Sequence, residues 1–468
     1  MSEIPFGFGK PGDDDDGAGD GGGSSSSSGG AGGQNPFGFG GFGGFGGPDI
    51  GEALHRFADM LSWQGGPVNW DLAKDVARQG AAGDDPSVVD SERAAVTDAI
   101  RLAELWLDPA TSFAAATTSA QAWSRAEWIE ATLPTWITLV EPVATKVVDA
   151  FGGELSGGIP GLQGLPGLGG GAGSAGDGAD DLPPEVRQMA GPLMSMMRQM
   201  GGVMFGGQVG QALGALSREV VSSTDVGLPL AGVGHAALLP SGIAAFGEGL
   251  GLPADEVRLF VALREAACHR LFAGVPWLRA RLFAAVDDYA RGITVDTSHM
   301  QEALGSIDPT NPEALQEALS GGLFEPENTP AQQVALARLE TLLALIEGWI
   351  DDVVRQAAAG RLVAADALAE TVRRRRAAGG PAEQTFGTLV GLELRPRRMR
   401  EAADLWRLLR ESRGVEGRDA LWEHPDLLPT TDDLADPAAF VDRRDIDLDI
   451  GSLEAPGADD EGDAPPSS

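Results

Sequence analysis

The chain has 468 residues, 43% of them hydrophobic, and a formal net charge of −35 at pH 7. This acidic excess argues against nucleic acids and anionic membranes as partners, because the chain as a whole repels polyanions. The single cysteine excludes an intramolecular disulfide, and the N-terminal residues lack the basic and apolar pattern of a signal peptide. We therefore expect a cytoplasmic protein.

Composition divides the chain into five segments. Residues 1–48, rich in Gly, Ser and Phe, and residues 441–468, which are acidic, have too little apolar surface to form a core and are expected to be disordered tails. A Gly/Pro-rich linker covers residues 152–183. This linker separates an N-terminal helical region at 49–151 from a second helical domain at 184–440.

Apolar residues recur at three- and four-residue spacing through the N-terminal helical region. Val96, Ile100, Ala103 and Leu107 show this pattern, in which one side of a helix is apolar and faces a core. The spacing predicts helices for this region and gives no indication of a strand within it.

The helix that follows Pro184 carries glycines at strict four-residue intervals. They are Gly202, Gly206, Gly210 and Gly214. Glycines on one face of a helix let a neighbouring backbone approach closely, as they do in membrane-helix dimers. Gln208 and Gln211 interrupt the apolar run well below the length that spans a bilayer. The spacing therefore predicts tight packing between the helices of a soluble domain.

The rest of the chain predicts a mainly α fold. Short strands are expected only near residues 236–239. Further helices are predicted from apolar periodicity and from start signals such as Asn-Thr-Pro, at residues 253–273, 276–291, 330–359, 363–377, 397–412 and 416–423. Without a run of strands, the fold class is mainly α.

Arginines cluster at the end of the predicted 363–377 helix, from Arg373 to Arg376, and again between Arg395 and Arg400. A cluster of this kind can contact phosphate groups. In a chain this acidic, we interpret it instead as a solvated helix end that contacts the acidic C-terminal tail.

Several separate motifs lie between residues 50 and 440. They read Pro67-Val68-Asn69-Trp70-Asp71, Gly247-Glu248-Gly249-Leu250-Gly251-Leu252-Pro253, Glu265-Ala266-Ala267, Val275-Pro276-Trp277-Leu278, Glu347-Gly348-Trp349 and Leu421-Trp422-Glu423-His424-Pro425-Asp426. Together they resemble the zincin-like metallopeptidases of actinobacteria. The resemblance implies a multi-helix zincin-like domain and descent from zinc-dependent metalloproteases, which are hydrolases.

The resemblance also implies roles for residues on two helices. Zinc proteases carry His-Glu-x-x-His, in which two imidazoles bind the metal and the glutamate activates its water. Glu265 matches the catalytic glutamate, while Arg264 and Cys268 occupy the two histidine positions. Glu347 resembles the third, glutamate ligand. Asp351, one helical turn later, is placed to orient a histidine ligand.

The departures from this motif bear on the metal. Arg264 has a permanent positive charge and no lone pair, so it cannot bind zinc. Cys268 and Glu347 remain as candidate metal ligands, with His269 or His299 as a further candidate, short of three well-placed ligands. In the alternative, Arg264 takes the place of the metal and pairs with Glu347 as a buried ion pair. Zinc is thus a candidate cofactor that we expect to be absent or weakly bound.

Three functions remain open from the sequence. The leading one is a zincin-like protein with a degenerate site, which binds a peptide or protein segment in a cleft between the helices at 253–273 and 330–359. The second is an active zinc-dependent metallopeptidase in which Glu265 is the general base. The third is an interaction protein that acts through its tails. The oligomeric state is left open.

Overall fold

The computed structural model describes residues 66–158, 184–292, 329–379 and 398–450, together with Trp63 and Gly387. The predicted N-terminal tail, the linker beyond residue 158, His299 and the acidic tail beyond residue 450 lie outside the described residues. The first part of the predicted C-terminal tail lies within the described residues, as the start of the tail at 441 falls inside a helix.

The described residues are mainly α-helical, as the sequence predicts. Their α-helices, in chain order, are Trp70–Ala81 (α1), Asp90–Leu107 (α2), Arg125–Gly158 (α3), Pro184–Glu219 (α4), Pro240–Gly247 (α5), Ala254–Gly274 (α6), Pro276–Arg291 (α7), Pro330–Ala358 (α8), Ala365–Ala378 (α9), Met399–Asp419 (α10), Thr431–Ala435 (α11) and Pro437–Ile450 (α12). The helix predicted at 416–423 is instead the end of α10 followed by a 3₁₀ turn, Ala420–Glu423.

Two short strands, Ser119–Ala122 (β1) and His235–Leu238 (β2), form a parallel pair in which Ser119 lies opposite His235. β2 matches the strand expected near residues 236–239. β1 lies in the region for which the sequence predicts only helices, and that prediction is wrong at this point. The sequence of β1, Ser-Ala-Gln-Ala, has no β-branched or aromatic residue, and its pairing partner is 116 residues away in the chain. Only tertiary contact reveals such a strand.

The glycine face of α4 lies directly against α1. A Cβ atom placed on Gly206 would lie 2.5 Å from the carbonyl oxygen of Asn69, and one on Gly210 would lie 2.5 Å from that of Ala73. Gly207, on another face of α4, has nothing within 4 Å of such a Cβ. These approaches confirm the predicted tight helix packing. In the part of the chain that the structure describes, no helix is long and apolar enough to cross a membrane.

Helix α8, which carries Glu347, begins at a capping box. The Thr329 hydroxyl accepts a hydrogen bond from the Gln332 N–H at 3.2 Å, and the Gln332 side-chain oxygen accepts one from the Thr329 N–H at 3.1 Å. Pro330 takes the first helical position, where no N–H is needed. Every residue from 342 to 354 is buried, so α8 runs through the core.

Helix α8 packs against α6, α7 and α10, and α9 contacts both α6 and α8. The N-terminal helices join the same apolar core, because α2 packs on α6 and α1 packs on α4. Burial of these apolar faces is the main source of stability for such an arrangement. The region before the predicted linker and the domain after it therefore share a core. The domain boundaries drawn from composition remain predictions.

Candidate functional site

Helix α6 carries four candidate residues: the three that match or replace positions of the zinc-protease motif, and His269 directly after them. Three of them face inward: Glu265 and His269 are fully buried, and Cys268 is 1% exposed. Arg264 lies at the edge of this buried face, with 15% of its side chain exposed. Residues one turn apart point the same way along a helix, so Glu265 lies beside His269 and Arg264 lies beside Cys268.

The Glu265 carboxylate has hydrogen-bond donors on both of its oxygens. Oε1 accepts from the Ser223 hydroxyl, from the Ala237 N–H at 2.9 Å and from His269 Nε2 at 3.3 Å. Oε2 accepts from Thr224 twice, from the N–H at 3.1 Å and from the hydroxyl at 2.5 Å. These donors fill the acceptor capacity of a carboxylate. Glu265 therefore ties β2, and the turn that precedes it, to α6.

His269 is a neutral member of this network. Its Nδ1 accepts a hydrogen bond from the Gly234 N–H at 3.1 Å. A ring nitrogen that accepts a hydrogen bond carries no proton, so the proton is on Nε2, which donates to Glu265. Both ring nitrogens are engaged, and His269 has no lone pair left for a metal.

Opposing effects set the pKa of Glu265. Burial raises this pKa, because a buried carboxyl group disfavours its charged form, while the hydrogen bond from His269, its electrostatic interaction and hydrogen bonds from Ser223 and Thr224 lower it. Together these interactions outweigh burial, so the pKa of Glu265 is lower than its ordinary value and the group is ionised at neutral pH. The network stabilises the carboxylate as a fixed anion.

Two arginines pair with the carboxylate of Glu347, which is on α8. Arg264 Nη2 donates a hydrogen bond to Oε2, and Arg376, on α9, forms an ion pair with Oε1 at 3.2 Å. Gly227 lies beside this cluster with a φ of 84°, and a Cβ atom there would lie 3.1 Å from Glu347 Oε1. The structure thus brings Arg264 and Glu347 together on facing helices, and it adds Arg376 to the pair.

Cys268 is buried next to both carboxylates. Burial raises the pKa of its thiol well above the ordinary value, and the negative charges of Glu265 and Glu347 raise it further. The positive charge of Arg264 and a hydrogen bond with Thr224 act in the other direction and are outweighed. The thiol of the metal-free chain is therefore protonated at neutral pH.

Asp351 pairs with Arg355 at 2.9 Å and with Arg373 at 3.0 Å, and not with a histidine. Arg375 pairs with Asp225 at 2.6 Å. The prediction of a solvated basic helix end is therefore wrong for most of the run at the end of α9, because three of its four arginines, all but Arg374, bind carboxylates on other elements of the fold. The sequence could not show this, because those carboxylates lie on other elements of the fold.

Sequence reasoning misses the turn that holds Glu265. Ser223 and Thr224 lie between α4 and β2, and neither is a candidate from its own neighbourhood in the sequence. A signal is nevertheless present there: the polar run from Ser222 to Asp225 interrupts a stretch of valines. Polar groups in a buried segment need hydrogen-bond partners, so such a run marks a site where the core holds a polar group.

The residues present do not fit a zinc ion. Arg264 has no lone pair, both oxygens of Glu347 face arginines, and both nitrogens of His269 are hydrogen-bonded. Across residues 66–158, 184–292, 329–379 and 398–450, no group of three His, Cys, Asp or Glu side chains is arranged to hold a metal ion. The chemistry of the donor set therefore argues against resident zinc.

Comparisons with known proteins agree on the fold. A family model described as a zincin-like metallopeptidase matches residues 68–441. No curated protein matches the chain. A crystal structure of a protein from Chloroflexus aurantiacus, described as a candidate hydrolase with a novel fold, is similar with a TM-score of 0.54 and 17% sequence identity. The match covers 81% of this chain and 99% of that one, and at this identity it shows a shared fold alone.

Proposed function

The chain belongs to the zincin-like metallopeptidase family, and from this premise we propose that it binds a peptide or protein segment without hydrolysing it. Family membership supports the class of ligand, because a metallopeptidase acts on peptide chains. The chemistry of the site supports the loss of hydrolysis. Recognition and cleavage are thus separate parts of the proposal and can be tested separately.

The observation that carries the proposal is the state of Glu265. In an active site of this kind, the glutamate takes a proton from a metal-bound water. A general base must have an open lone pair within reach of that water. Glu265 is fully buried and accepts hydrogen bonds from Ser223, Thr224, Ala237 and His269. This arrangement favours a structural role for Glu265 over a catalytic one.

We place the ligand at the surface around Arg264. Glu265 and Glu347 are buried where α6 and α8 pack together, so a peptide between these helices would have to separate them. Arg264 is 15% exposed, so its side chain reaches the surface beside these buried carboxylates. A guanidinium group suits a peptide carbonyl or carboxylate oxygen, because it offers several donors in one plane.

We further propose that this binding takes place in the cytoplasm and involves neither nucleic acid nor membrane. The only cysteine of the chain is buried and reduced, which suits a reducing compartment. A net charge of −35 disfavours contact with nucleic acids and anionic lipids.

Incubation with a tryptic digest of casein tests binding and cleavage together. The purified chain receives the digest and added zinc, and mass spectrometry identifies peptides that co-elute on gel filtration and any new peptide termini. We expect retained peptides and no new termini. Arg264→Met should reduce retention at least about tenfold, since it removes the guanidinium group that is proposed to contact the peptide. Arg407→Met, which removes a half-exposed arginine of α10, is the matched control and should retain peptides like the wild type.

Either half of the proposal can fail in this experiment. New termini that disappear in Glu265→Gln would identify an active metallopeptidase and contradict the loss of hydrolysis. A lack of retained peptides would remove the binding function. Equal retention by Arg264→Met and the wild type would rule out the surface around Arg264 as the binding site. Circular dichroism of each variant establishes that it is folded.

A further inference from the structure

Arg376 places a second guanidinium group at Glu347. It reaches the carboxylate from α9, while Arg264 reaches it from α6, and the two arginines contact different oxygens. Glu347 itself is on α8, so three helices are joined at one buried point. A structural metal ion joins elements of a fold in the same way, by binding a side chain from each.

Among the described residues at this point, the charges balance without a metal. Arg264 and Arg376 carry two positive charges, and Glu265 and Glu347 carry two negative ones, while neutral His269 adds none. A Zn²⁺ ion beside the same two carboxylates would give the same sum. Buried charges are tolerated only when they are compensated by partners. The two arginines therefore provide the compensation that a zinc ion would otherwise provide.

The surroundings of Glu347 fit this pair of arginines closely. Arg376 is 6% exposed and Glu347 is 2% exposed. The backbone of Gly227 lies against both, since a Cβ atom there would be 3.1 Å from Glu347 Oε1 and 3.3 Å from Arg376 Nη2. A side chain at position 227 would push one of these groups away. The turn between α4 and β2 is thus shaped around the ion cluster.

We infer that Arg264 and Arg376 together replace the metal ion of a zincin site. Guanidinium groups supply a permanent charge and directional donors, and they cannot dissociate or be removed by a chelator. The site thereby keeps its geometry without a cofactor. This inference concerns the charge of the site and holds whether or not a peptide binds there.

Histidines alone should therefore not restore zinc binding. Arg264→His together with Cys268→His returns two imidazoles to one face of α6, with Glu347 opposite. Arg376 still faces Glu347 Oε1 in that variant, and its charge repels a divalent cation at short range. Removal of Arg376 as well frees the carboxylate to act as the third ligand.

Zinc affinity, measured by competition with a chromogenic chelator, tests this inference. The triple variant Arg264→His/Cys268→His/Arg376→Met should bind about one zinc ion per chain, at least about tenfold more tightly than the double variant without the change at 376. Zinc should also raise the melting temperature of the triple variant. The matched control adds Arg374→Met to the double variant and should behave like it, because Arg374 is exposed and pairs with Glu370.

Equal zinc affinity of the double and triple variants would overturn the inference, because Arg376 would then have no part in replacing the metal. If the histidine variants do not fold, the inference is tested instead by the stability to heat of Arg264→Met, of Arg376→Met and of the double variant that combines them. We expect the combination to lose more stability than the sum of the single changes, because Glu347 then loses both positive partners. Additive losses would contradict a shared role. The result of the casein experiment does not depend on the result of these zinc and stability measurements.

Discussion

Arg418→Met should lower the free energy of unfolding by about 3–5 kcal/mol, because it breaks a buried ion cluster and leaves its carboxylates behind. Arg418 is fully buried. It donates hydrogen bonds to Asp352 Oδ2 at 2.9 Å, to Asp419 Oδ1 at 2.8 Å and to the Ala110 carbonyl oxygen at 2.8 Å. A methionine fills similar space and makes none of these bonds, so the expected loss is electrostatic rather than steric.

This cluster also positions the candidate site. Asp352 is on α8, one and a half turns after Glu347, and Arg418 is on α10. Trp349, also on α8, donates from Nε1 to Asp419 Oδ1 at 2.8 Å, and the Arg418 guanidinium lies 5.5 Å from its ring centre. The cluster therefore fixes α8 against α10, and with it the place of Glu347.

Urea denaturation of Arg418→Met and of a matched variant measures this effect. Arg407→Met is the control on the same helix, where Arg407 is 39% exposed and pairs with Asp404 and Glu411. Exposed pairs of this kind contribute about 0–1 kcal/mol. The buried variant should therefore lose several times more stability than the control. Equal losses would show that the cluster does not stabilise the packing of α8 against α10.

Glu265→Gln should lower the free energy of unfolding by about 2–3 kcal/mol, because an amide cannot accept all the hydrogen bonds that the carboxylate accepts. Its NH₂ group would face either the donors of Thr224 on one side or those of Ser223 and Ala237 on the other. Buried donors without acceptors are costly. Substitution of a general base that had no structural role would not cause this loss of stability.

The same substitution should change how stability depends on pH. The pKa of Glu265 in the folded state is lower than the ordinary value of 4.5. The folded state thus resists protonation more than the unfolded state does. The stabilisation is fully present above about pH 4.5 and is lost as the pH falls through the lower, folded-state pKa. The difference between the wild type and Glu265→Gln should therefore be largest near neutral pH and should shrink below pH 4.5.

Glu370→Gln is the control for this experiment. A hydrogen bond from Arg374 lowers the pKa of Glu370 as well, but this carboxyl group is exposed to solvent, which screens its pairs. Its substitution should leave the urea midpoint at pH 7 within error of the wild type. If Glu265→Gln unfolds at the same urea concentration as Glu370→Gln, the carboxylate of Glu265 does not hold β2 to α6.

Local patterns in the sequence predict much of this fold. The glycines of α4 recur at a fixed spacing, and Thr329 caps α8 together with Gln332 three residues later, so local patterns identify both. The pairing of Arg264 with Glu347 can also be predicted from the sequence, but from a different kind of observation. The family motif identifies the two helices, and charge complementarity then offers the ion pair as an alternative to a metal.

Features that depend on tertiary contacts cannot be predicted from local patterns in the sequence. β1 exists because it pairs with β2, and its four residues include no β-branched or aromatic side chain that would favour a strand. Arg376 is one of four consecutive arginines, and nothing in that run distinguishes the one that reaches Glu347. Ser223 and Thr224 act on Glu265 only because β2 brings their turn to α6.

The zinc content of the purified chain, measured by elemental analysis without added metal, tests most directly whether arginines occupy the place of the metal ion. We predict far less than one zinc ion per chain, and a melting temperature that a chelator leaves unchanged, because guanidinium groups hold Glu347 in place. About one tightly bound zinc ion per chain, whose removal by a chelator lowers the melting temperature, would contradict this. Cys268, Glu347 and another group would then be its ligands.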